Sequence, residues 1–584
     1  MTRASSTGIA YHGFKDSDSD VKLTLKSTTP QSSAENEAID TNQPAGVIQM
    51  QAILQVWTKK WLIAAYALML VVSLTNSLQQ QANYSWVPYA TSSFGKHGLT
   101  AITSLVANVV GGVSRLPLAR LMDVWGRPHV FMVCMTLVVL SLTLMALCQN
   151  VETYLVSQVF YWTGMNGMAF VLEIFVQDTA QFVHRLVYLA IMETPYICNT
   201  FAGPELGQRF LDSSTWHWGY GAFAIITPFV CIPFCAIFFL LSRKAKRMGV
   251  VPKEKVKSGR TFMQTLVHGV IEMDIVGLLL LCCGFSLLLL PFGLSAYQKD
   301  GWASPRMIFM IVFGFLLLVT VILWERLWAP KPFFPFFLMK DRSVVAACFL
   351  GCNTWIAFYC FKMYYTSYLQ VVFSLSVAKA GYITNIYNIV SCTWAVLIAL
   401  VYIKLDSYKW SAVIAMPIQL LMTGLLIHFR KPNTHIGLLV MVEVFWAMCG
   451  AVMVQVEQIA IMSAVPHENL PTALAVMYLV TQVGGAVGQA ISGSLWTHIV
   501  PNKLAEYLPA DKKSEAARIY ASLPVQLSYA WGTPERQAIV RAYGDAQKVM
   551  VVVGTCALVP CFLWVALLKN NRLSAHPERK GLQA

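Results

Sequence analysis

The chain has 584 residues, of which 56% are apolar and only 12% are charged, whereas an ordinary soluble domain carries roughly 25% charged residues. Its apolar residues come in runs that are too long for globular helices, so the composition excludes a soluble enzyme and a secreted disulfide scaffold and indicates an all-α polytopic membrane protein. The net charge of +14 does not indicate a nucleic-acid binder, because the basic residues lie mainly in short connections between the apolar runs.

The first 56 residues are polar and rich in Ser, Thr, Asp and Asn. Such a segment cannot bury enough apolar surface to fold alone, which predicts a disordered cytoplasmic tail at 1–56. A bilayer core about 30 Å thick requires about 20 helical residues to cross it, and fourteen stretches of the chain satisfy that length. The predicted spans are 61–80, 99–119, 130–148, 153–176, 187–207, 219–241, 274–296, 306–325, 344–369, 380–403, 410–429, 436–461, 473–498 and 548–568.

The connections between the predicted spans alternate in their content of Lys and Arg. Even-numbered connections carry more of these residues than odd-numbered ones, most of all the sixth connection at 242–273, and basic residues also flank the first and last spans. Since Lys and Arg favour the cytoplasmic side, the pattern predicts that both termini, the 242–273 loop and the 569–584 tail are cytoplasmic. Residues 262–270 are predicted to form an amphipathic surface helix or, equally, an extension of the seventh span.

The connection between the second and third spans contains Asp123, Gly126 and Arg127. An Asp at a helix end and an Arg in a tight turn can clamp neighbouring helices through charge-assisted hydrogen bonds. The pattern resembles the cytoplasmic signature of the major facilitator superfamily, from which it departs by Ala119 in place of a Gly and by Pro128 in place of a second basic residue. The alternative is an ordinary positively charged turn.

The fifth span ends in Gly203 and Pro204, which are similar to the Gly-Pro motif of the superfamily's proton-coupled antiporters. Two residues weaken that resemblance: Asn199 stands where a Gly is expected, and Phe160 stands where drug–proton exchangers of the superfamily carry an Arg. Gly and Pro interrupt a membrane helix only where neighbouring helices satisfy its backbone groups. Gly203 and Pro204 are therefore predicted gate residues, together with Asp123, Gly126 and Arg127.

A more specific pattern is carried by segments at 83–94, 177–179, 216–221, 368–370, 380–383, 529–536 and 542–543. In order and position these segments resemble the fungal siderophore–iron transporter family, a fourteen-span branch of the superfamily. The resemblance covers about residues 57–570 and departs from the family at His217, where an Arg is expected.

The resemblance implies the major facilitator fold, with two six-helix bundles and two inserted helices. Its expected parts are an N-terminal bundle at 57–241, inserted helices at 274–325, the first five helices of the C-terminal bundle at 326–498, a long extracellular loop at 499–547 and a last helix at 548–568. It further implies a plasma-membrane protein, expected to be monomeric in the lipid bilayer, that imports intact ferric siderophore together with protons. Alternating access would rock one bundle against the other around a central site.

A chelated Fe(III) ion already has its oxygen ligands, so the resemblance implies that iron is carried as ferric siderophore, expected to be of the hydroxamate type, without a cofactor or metal site of the protein itself. The eleven His residues are scattered without metal-ligand spacing. A bulky neutral chelate favours a wide cavity with aromatic faces and amide or hydroxyl donors. The predicted substrate-binding residues of that kind are Asn76, Gln80, Tyr84, Tyr89, Trp355, Tyr364, Tyr365, Tyr368, Gln370 and Tyr382. The alternative is that the aromatic residues anchor span ends at the membrane interface.

Charged residues within the spans are informative, because each is energetically costly at the bilayer centre. They are Arg115, Glu173, Glu193, Lys362, Glu443 and Glu457. Lys362 and Glu443 fall at similar depth and are expected to pair. Proton coupling requires a buried carboxylate with alternating access, and the candidates are Glu173, Glu193 and Glu457, with Asp178 or Asp123 as a partner at the inner gate. The alternative role of these acids is structural ion pairing.

The connection at 499–547 is too long for a simple turn, and it contains predicted helical pieces at 511–523 and 534–547. A long loop in a fold with short connections is usually functional, so Tyr529, Trp531, Arg536 and Tyr543 are predicted to belong to an extracellular lid or capture surface for the chelate. The alternative is a solvated insertion.

Three functional classes remain at this stage. The first is a ferric-siderophore importer, and the second is a drug or toxin antiporter that uses the same fold in the opposite direction. The third is a sensor that signals rather than transports. An enzyme is not expected, because the sequence contains no Walker loop, nucleophile elbow or metal-ligand cluster.

Overall fold

The computed structural model describes residues 45–94, 100–181, 184–249, 274–295, 298, 300–329, 338–466 and 469–571, and within these ranges the chain is almost entirely helical with no strand. The first half comprises α1 (Ala45–Val56), α2 (Lys59–Ser93), α3 (Thr100–Trp125), α4 (Arg127–Leu147), α5 (Val151–Thr179), α6 (Arg185–Glu193), α7 (Pro195–Ser213) and α8 (Trp216–Arg247). Two helices follow, α9 (Ile275–Leu294) and α10 (Pro305–Leu323), the second of which continues into a π-helical turn at Trp324–Trp328.

The second half begins with α11 (Arg342–Lys362), α12 (Tyr365–Phe373), α13 (Val377–Thr384), α14 (Ile386–Leu405), α15 (Lys409–Phe429), α16 (Ile436–Ala464) and α17 (Leu470–Tyr507). After α17 come a short 3₁₀ helix (Ala510–Glu515), α18 (Ala516–Ala521), α19 (Leu523–Ser528), α20 (Pro534–Leu558) and α21 (Cys561–Leu567). Two further 3₁₀ turns, Gly301–Ala303 and Leu338–Lys340, precede α10 and α11.

Several helices begin at residues that satisfy their free amide groups. The side chain of Asn150 accepts a hydrogen bond from the amide of Thr153 at 2.8 Å at the start of α5, and Asp341 accepts one from the amide of Ser343 at 2.7 Å at the start of α11. Such caps replace the hydrogen bonds that the first turn of a helix lacks. The short connections of the fold are therefore determined locally.

Within the described residues, twelve helical stretches are long and apolar enough to cross a membrane. Helix α3 and the pair α6–α7 coincide with the predicted second and fifth spans but are not among the twelve, so the count of fourteen spans stays a prediction. The predicted fold class is confirmed: α2–α8 form one bundle, α11–α17 with α20–α21 form the other, and α9 packs with α10 between them and against α3 and α17.

Helix α1 lies in a segment where the sequence composition predicts disorder. Met50 and Ile53, one helical turn apart, are buried against the bundle, and α1 contacts α3 and α8. The prediction of a disordered tail was therefore wrong for residues 45–56, because the polar composition of the whole tail masks one short apolar face. Residues 1–44, and the predicted amphipathic helix at 262–270, lie outside the described residues.

The predicted loop at 499–547 is shorter in the structure. Helix α17 continues to Tyr507 and α20 already begins at Pro534, so the connection itself is 508–533. At about 1.5 Å per residue both helices are longer than the bilayer core requires, and they extend beyond it at the same end of the molecule. We call the end that carries this connection the loop end, and the end where α2 begins and α21 stops the tail end.

Candidate functional site

A cavity of about 560 Å³ lies between the two halves. On the N-terminal side it is lined by α2, α3, α5 and the junction of α6 with α7, and on the C-terminal side by α11, α12, the junction of α13 with α14, α16 and α17. The volume is within the usual range of ligand pockets, roughly 300–1,000 Å³. The cavity is therefore the candidate substrate site.

Three interruptions of membrane helices meet at this cavity. Thr194 separates α6 from α7, Met363 and Tyr364 separate α11 from α12, and Asn385 separates α13 from α14. Tyr364 has a left-handed backbone with φ of +59°, a conformation that a non-glycine residue keeps only where its surroundings hold it. Glu193, Tyr364 and Asn385 all line the cavity. The interruptions thus expose backbone and side-chain groups where a substrate can reach them.

Amide side chains cover the N-terminal wall. The hydroxyl of Tyr196 donates to Oε1 of Gln80 at 2.5 Å, and the hydroxyl of Tyr220 donates to Oδ1 of Asn83 at 2.6 Å. Oδ1 of Asn76 and Nδ2 of Asn83 have no hydrogen-bond partner among the described residues. Because an unpaired polar group is costly in a buried site, these atoms are the first candidates to bind a polar ligand.

Aromatic rings cover both walls. Tyr84 and Trp162 face the cavity from the N-terminal half with their ring centroids 6.0 Å apart. Trp355 and Tyr359 face it from α11 with their centroids 5.7 Å apart. Rings and amides together suit a large ligand that is mainly neutral and carries carbonyl or amide groups.

Six of the ten predicted substrate-binding residues line the cavity, and four do not. Those that line it are Asn76, Gln80, Tyr84, Trp355, Tyr364 and Tyr365. Those outside the lining are Tyr89, Tyr368, Gln370 and Tyr382. Their roles in binding substrate remain predictions, but the structure places the two groups in different environments.

Three of the four outer residues close the loop end. The hydroxyl of Tyr89 on α2 donates to Oε1 of Gln370 on α12 at 2.8 Å. The hydroxyl of Tyr382 on α13 donates to Oε2 of Glu205 on α7 at 3.4 Å. Each hydrogen bond joins the two halves, so these residues hold the loop end together in this conformation.

The fourth outer residue belongs to a buried cluster behind the cavity wall. The guanidinium of Arg430 lies 4.2 Å from the ring of Tyr365 and 5.9 Å from that of Tyr368. It also donates to the carbonyl oxygen of Phe361 at 2.5 Å and to Oε1 of Gln547 at 2.8 Å. The cation therefore sits at the C-terminal end of α11, where the helix dipole favours positive charge, and supports the interruption after Lys362.

Lys362 and Glu443 form the predicted ion pair. Nζ of Lys362 donates to Oε2 of Glu443 at 2.8 Å and to the carbonyl oxygen of Thr384 at 2.7 Å. Both charged side chains are almost completely buried, and Lys362 also lines the cavity. The ammonium group of Lys362 thus connects α16 to two helix interruptions, the one between α11 and α12 and the one between α13 and α14.

A polar network crosses the cavity between the two halves. The hydroxyl of Tyr478 on α17 donates to Oε1 of Glu173 on α5 at 2.9 Å, and it accepts from Nε2 of Gln458 at 3.0 Å. The guanidinium of Arg115 lies 4.2 Å from the Tyr478 ring and donates to Oδ1 of Asn166 at 3.0 Å. Tyr478 and Gln458 are not among the residues predicted from the sequence, although an uncharged polar residue near the middle of an apolar span is a signal that could have indicated them.

The three proton-coupling candidates and their predicted partner Asp178 occupy two places. Glu173, Glu193 and Glu457 line the cavity. Asp178 lies nearer the tail end and accepts from Nε of Arg127 at 3.0 Å, while Nη1 of the same Arg127 lies 3.6 Å from Oδ1 of Asp123. Asp178 is thus part of the charge clamp that the motif between the second and third spans predicts.

The remaining motif residues make close backbone contacts. Gly126, the N-cap residue before α4, has φ of +89°, a conformation that glycine adopts without strain. Gly203 on α7 packs against Gln81, and Pro204 packs against Gly381 of the other half, where a Cβ would come within 2.5 Å of the proline. The Gly-Pro motif therefore serves as a contact between α7 and α13 at the loop end.

The connection at 508–533 is folded down onto the C-terminal half. Arg536 is buried and donates to the carbonyl oxygen of Gln526 at 2.5 Å and to that of Val371 at 2.9 Å. The hydroxyl of Tyr543 donates to Oε1 of Gln526 at 2.5 Å, while Trp531 is 62% exposed. Arg536 and Tyr543 thus anchor this connection.

The other half also contributes to the contacts of this connection. Tyr529 lies near its end, with its hydroxyl 3.5 Å from Oε2 of Glu515. The amide of Leu523 at the start of α19 donates to Oγ of Ser92 on α2 at 3.3 Å. The connection therefore contacts both halves at the loop end of the cavity.

Comparison with known proteins identifies the class to which this architecture belongs. Residues 68–489 match the family model described as Major Facilitator Superfamily. Two solved structures share the fold, each with 12% sequence identity and a TM-score of 0.53. The first is peptide transporter POT in complex with sulfate, and the match covers 86% of this chain and 96% of that one. The second is an occupied, inward-facing bacterial homologue of human lysosomal transporter Spinster, and the match covers 88% of this chain and 98% of that one. The chain is a member of the major facilitator superfamily.

Sequence relatives place it more narrowly. It is 43% identical to MFS siderochrome iron transporter 1 of Ajellomyces capsulatus, over 92% of this chain and 91% of that protein. It is 37% identical to siderophore iron transporter mirB of Emericella nidulans, over 92% of this chain and 89% of that one. The chain belongs to the fungal siderophore–iron transporter family, as the sequence segments predict.

Among the described residues, no group of three or more His, Cys, Asp or Glu side chains could hold a metal ion. The polar groups of the cavity are instead amides, hydroxyls and single charges. That donor set suits recognition of an organic ligand.

Proposed function

We propose that this protein imports intact ferric siderophores of the hydroxamate type across the plasma membrane, driven by protons. The observation that carries the proposal is the 43% identity to a siderochrome iron transporter over 92% of the chain. The family supplies the cargo class, and the cavity supplies a site whose chemistry fits it.

The lining of the cavity supports a neutral chelate as cargo. In a ferric trihydroxamate the three singly charged hydroxamate groups balance the charge of Fe(III), so the outer surface presents mainly apolar chain and amide groups. Aromatic faces such as Trp355 and Tyr84 can cover the apolar part, and amides such as Asn76 and Gln80 can pair with the polar part. The iron remains inside its chelate and is cargo rather than cofactor.

The contacts at the loop end support alternating access. Tyr89 with Gln370, and Gln208 with the amide of Ala378 at 3.1 Å, join the two halves by single hydrogen bonds. Contacts of this kind are individually weak, about 0.5–1.5 kcal/mol each, and can part when one half rocks against the other. With both termini in the cytoplasm, the loop end is the outer end, and the docked connection at 508–533 acts as a lid.

Three cavity carboxylates support coupling to protons. Glu173, Glu193 and Glu457 face the space through which cargo passes, and a carboxylate inside a membrane protein is costly unless it is paired or protonated. The clamp of Arg127 with Asp178 and Asp123 provides an inner gate at the tail end. We expect the monomer in its bilayer to be sufficient for transport.

The proposal is tested by uptake of ⁵⁵Fe into yeast cells that lack their own siderophore transporters and express this chain. We expect uptake from ferric trihydroxamates, lower uptake from ferric tricatecholates, which carry negative charge, and loss of accumulation when a protonophore collapses the proton gradient. Cells expressing no transporter provide the background. Absence of uptake from every ferric siderophore class would contradict the proposed cargo, and uptake that persists with the protonophore would contradict proton coupling alone.

The alternative function is export of a drug or toxin in exchange for protons. It is favoured by one observation, the Gly203-Pro204 motif that contacts Gly381 across the two halves. If the same cells gain resistance to toxic compounds and take up no ferric siderophore, the exporter is the correct assignment.

A further inference from the structure

The carboxylates around the cavity differ in how their charge is compensated. Glu443 is bound by the ammonium group of Lys362 at 2.8 Å, and Glu173 accepts a hydrogen bond from Tyr478 at 2.9 Å. Glu193 is exposed in the cavity. Glu457 is only 3% exposed, and its Oε1 has no hydrogen-bond partner among the described residues. It is the one acid of this group that is deeply buried without a bound donor in the described part of the chain.

A glycine on the neighbouring helix α11 leaves space for the side chain of Glu457. A Cβ on Gly351 of α11 would lie 2.8 Å from Oε2 of Glu457 and 2.6 Å from Oγ1 of Thr481 on α17. Oγ1 of Thr481 also has no hydrogen-bond partner among the described residues. Gly351 therefore leaves room for a carboxylate and a hydroxyl from two other helices to pack against the same point of α11 at the edge of the cavity.

Thiols and a phenol, rather than cations, interact electrostatically with this carboxylate among the described residues. Helix α11 contributes the thiols of Cys348 and Cys352, α21 contributes Cys561, and α14 contributes the hydroxyl of Tyr387. On its own helix, Glu443 is already paired with Lys362, and from α17 the hydroxyl of Tyr478 is directed to Glu173. No salt bridge joins Glu457 to a Lys, Arg or His in the part of the chain that the structure describes.

A carboxylate in this position is strongly disfavoured as an anion, because burial removes its hydration and, among the described residues, neither a hydrogen bond to Oε1 nor a salt bridge replaces it. Binding one proton, COO⁻ + H⁺ giving COOH, removes the charge and supplies a donor for an adjacent oxygen such as Oγ1 of Thr481. Because both residues line the cavity, the proton can arrive and leave by the same path as the cargo.

We propose that Glu457 is the group that carries the coupling proton, with Gly351 and Thr481 as its positioning residues. The inference rests on the proposed function, namely proton-driven uptake of ferric siderophore, and identifies the residue responsible for coupling. Glu173 and Glu193 face the cargo but do not carry the coupling proton.

The position of Glu457 connects it to the contact between the halves. The next residue, Gln458, donates to the hydroxyl of Tyr478, which donates in turn to Glu173 of the N-terminal half. A change of charge on Glu457 alters the local packing of α16 against α11 and α17. The same helices hold the network that must rearrange when the halves rock.

The test uses the full-length protein in proteoliposomes and compares two transport modes. Accumulation is measured with a pH gradient, acidic outside, and exchange is measured as counterflow of labelled ferric siderophore at equal pH. For Glu457→Gln we expect accumulation to fall to the level without a gradient, whereas counterflow persists, since a carrier that is fixed in its neutral form still alternates. Glu152→Gln, at an exposed carboxylate at the start of α5, is the control and should match the wild type in both modes.

Further variants keep the test decisive. Glu457→Asp retains a titratable carboxylate and should retain accumulation with a shifted pH dependence, while Thr481→Val and Gly351→Ala should shift that dependence without abolishing counterflow. Glu173→Gln and Glu193→Gln should keep their response to the pH gradient, whatever their rates.

Gradient-driven accumulation by Glu457→Gln at the wild-type level would overturn the inference, as would pH-independent accumulation by Glu457→Asp if the Gln variant does not fold. Failure of the wild type to accumulate would instead count against the proposed function.

Discussion

At the scale of single residues, the site depends on a few buried polar groups whose partners come from different helices. Lys362 binds Glu443 and the carbonyl oxygen of Thr384, and Tyr478 binds Glu173 across the cavity. In the low dielectric of a bundle interior, such contacts contribute more to stability than equivalent contacts at the surface, and a buried polar group that loses its partner is strongly destabilising. Substitutions at these positions therefore separate the groups that hold the fold from those that move cargo.

The pair of Lys362 and Glu443 gives the first prediction of this kind. Lys362→Met alone leaves a buried uncompensated carboxylate and should lower the free energy of unfolding by about 3–5 kcal/mol. The double variant Lys362→Met with Glu443→Gln removes both charges and should regain most of that loss. Thermal unfolding of the detergent-purified proteins measures the difference, and a double variant no more stable than the single one would show that the pair is not coupled.

Tyr478 provides the second prediction. Tyr478→Phe keeps the ring under Arg115 but removes the hydroxyl that links Gln458 to Glu173. We expect a lower rate of counterflow with little change in thermal stability, because the hydrogen bond to Glu173 that is lost joins the two halves, and only the bond from Gln458 lies within one bundle. Tyr478→Leu, which also removes the contact with the guanidinium, should be slower still. Equal rates for the wild type and both variants would contradict a role for this network in rocking.

At the scale of elements, two short segments outside the membrane helices attach to the bundles. Helix α1 packs over the turn between α3 and α4, so closely that a Cβ on Gly46 would lie 2.5 Å from the carbonyl oxygen of Met122. Trp57, which follows α1, packs against the rings of Phe175 and Phe238 with each centroid 5.6 Å away. The helix therefore covers the motif turn and belongs to the N-terminal bundle.

Replacing that glycine should detach α1. In Gly46→Val the side chain cannot fit against the backbone of the motif turn, so we expect faster amide hydrogen exchange across residues 46–56 while α5 stays protected. Lys59→Ala, at an exposed position on α2, serves as the control. Unchanged exchange in α1 would mean that the close approach is not required for docking.

The connection at the loop end is the second such segment, and it gives a prediction with a matched control on one helix. Arg536→Gln removes the donor to the carbonyl oxygens of Gln526 and Val371, so residues 516–528 should exchange faster and uptake should decrease. Arg541→Gln changes an exposed arginine on the same helix and should leave both unaffected. Loss of uptake in both variants to the same degree would point to charge rather than to anchoring of the lid.

The sequence predicted some of these elements and missed others for identifiable physical reasons. Asn76, Gln80 and Trp355 were found because a polar or amphipathic side chain inside an apolar span usually faces protein or water. Tyr368 lies outside the cavity lining because the left-handed Tyr364 ends the helical periodicity of α11, and its role in binding substrate stays a prediction. Helix α1 was missed because the polar composition of the whole tail hides its short apolar stretch. Tyr478 was missed because a single uncharged polar residue within an apolar span is a weaker signal than a charged one.

At the scale of the whole molecule, two bundles enclose one cavity that is sealed at the loop end by contacts between the halves. These contacts include the packing of Pro204 on Gly381 and the hydrogen bond of Tyr89 with Gln370. Because each of these contacts is small and joins one bundle to the other, the contacts can break together without unfolding either bundle. The same arrangement explains how a large chelate can enter from one side and leave on the other.

A larger side chain at this packing contact should bias the equilibrium between conformations. In Gly381→Leu the loop end cannot close, so we expect the distance between spin labels at Ala202 and Lys379 to lengthen and uptake to be lost, while ferric siderophore still binds from outside. Ala202 and Lys379 are exposed positions on α7 and α13. A label distance equal to that of the labelled parent would contradict the role of Gly381 in closure.

The central claim is that the chelate crosses the membrane intact through the cavity between the halves. The most direct measurement supplies yeast cells that lack their own siderophore transporters with a ferric hydroxamate siderophore labelled with ⁵⁵Fe in the metal and ¹⁴C in the ligand, and follows both labels inside the cell during the first minutes of uptake. We predict that both labels enter at the same ratio as in the medium and that neither enters cells without the transporter. Entry of ⁵⁵Fe without ¹⁴C, or of neither label, would contradict this account.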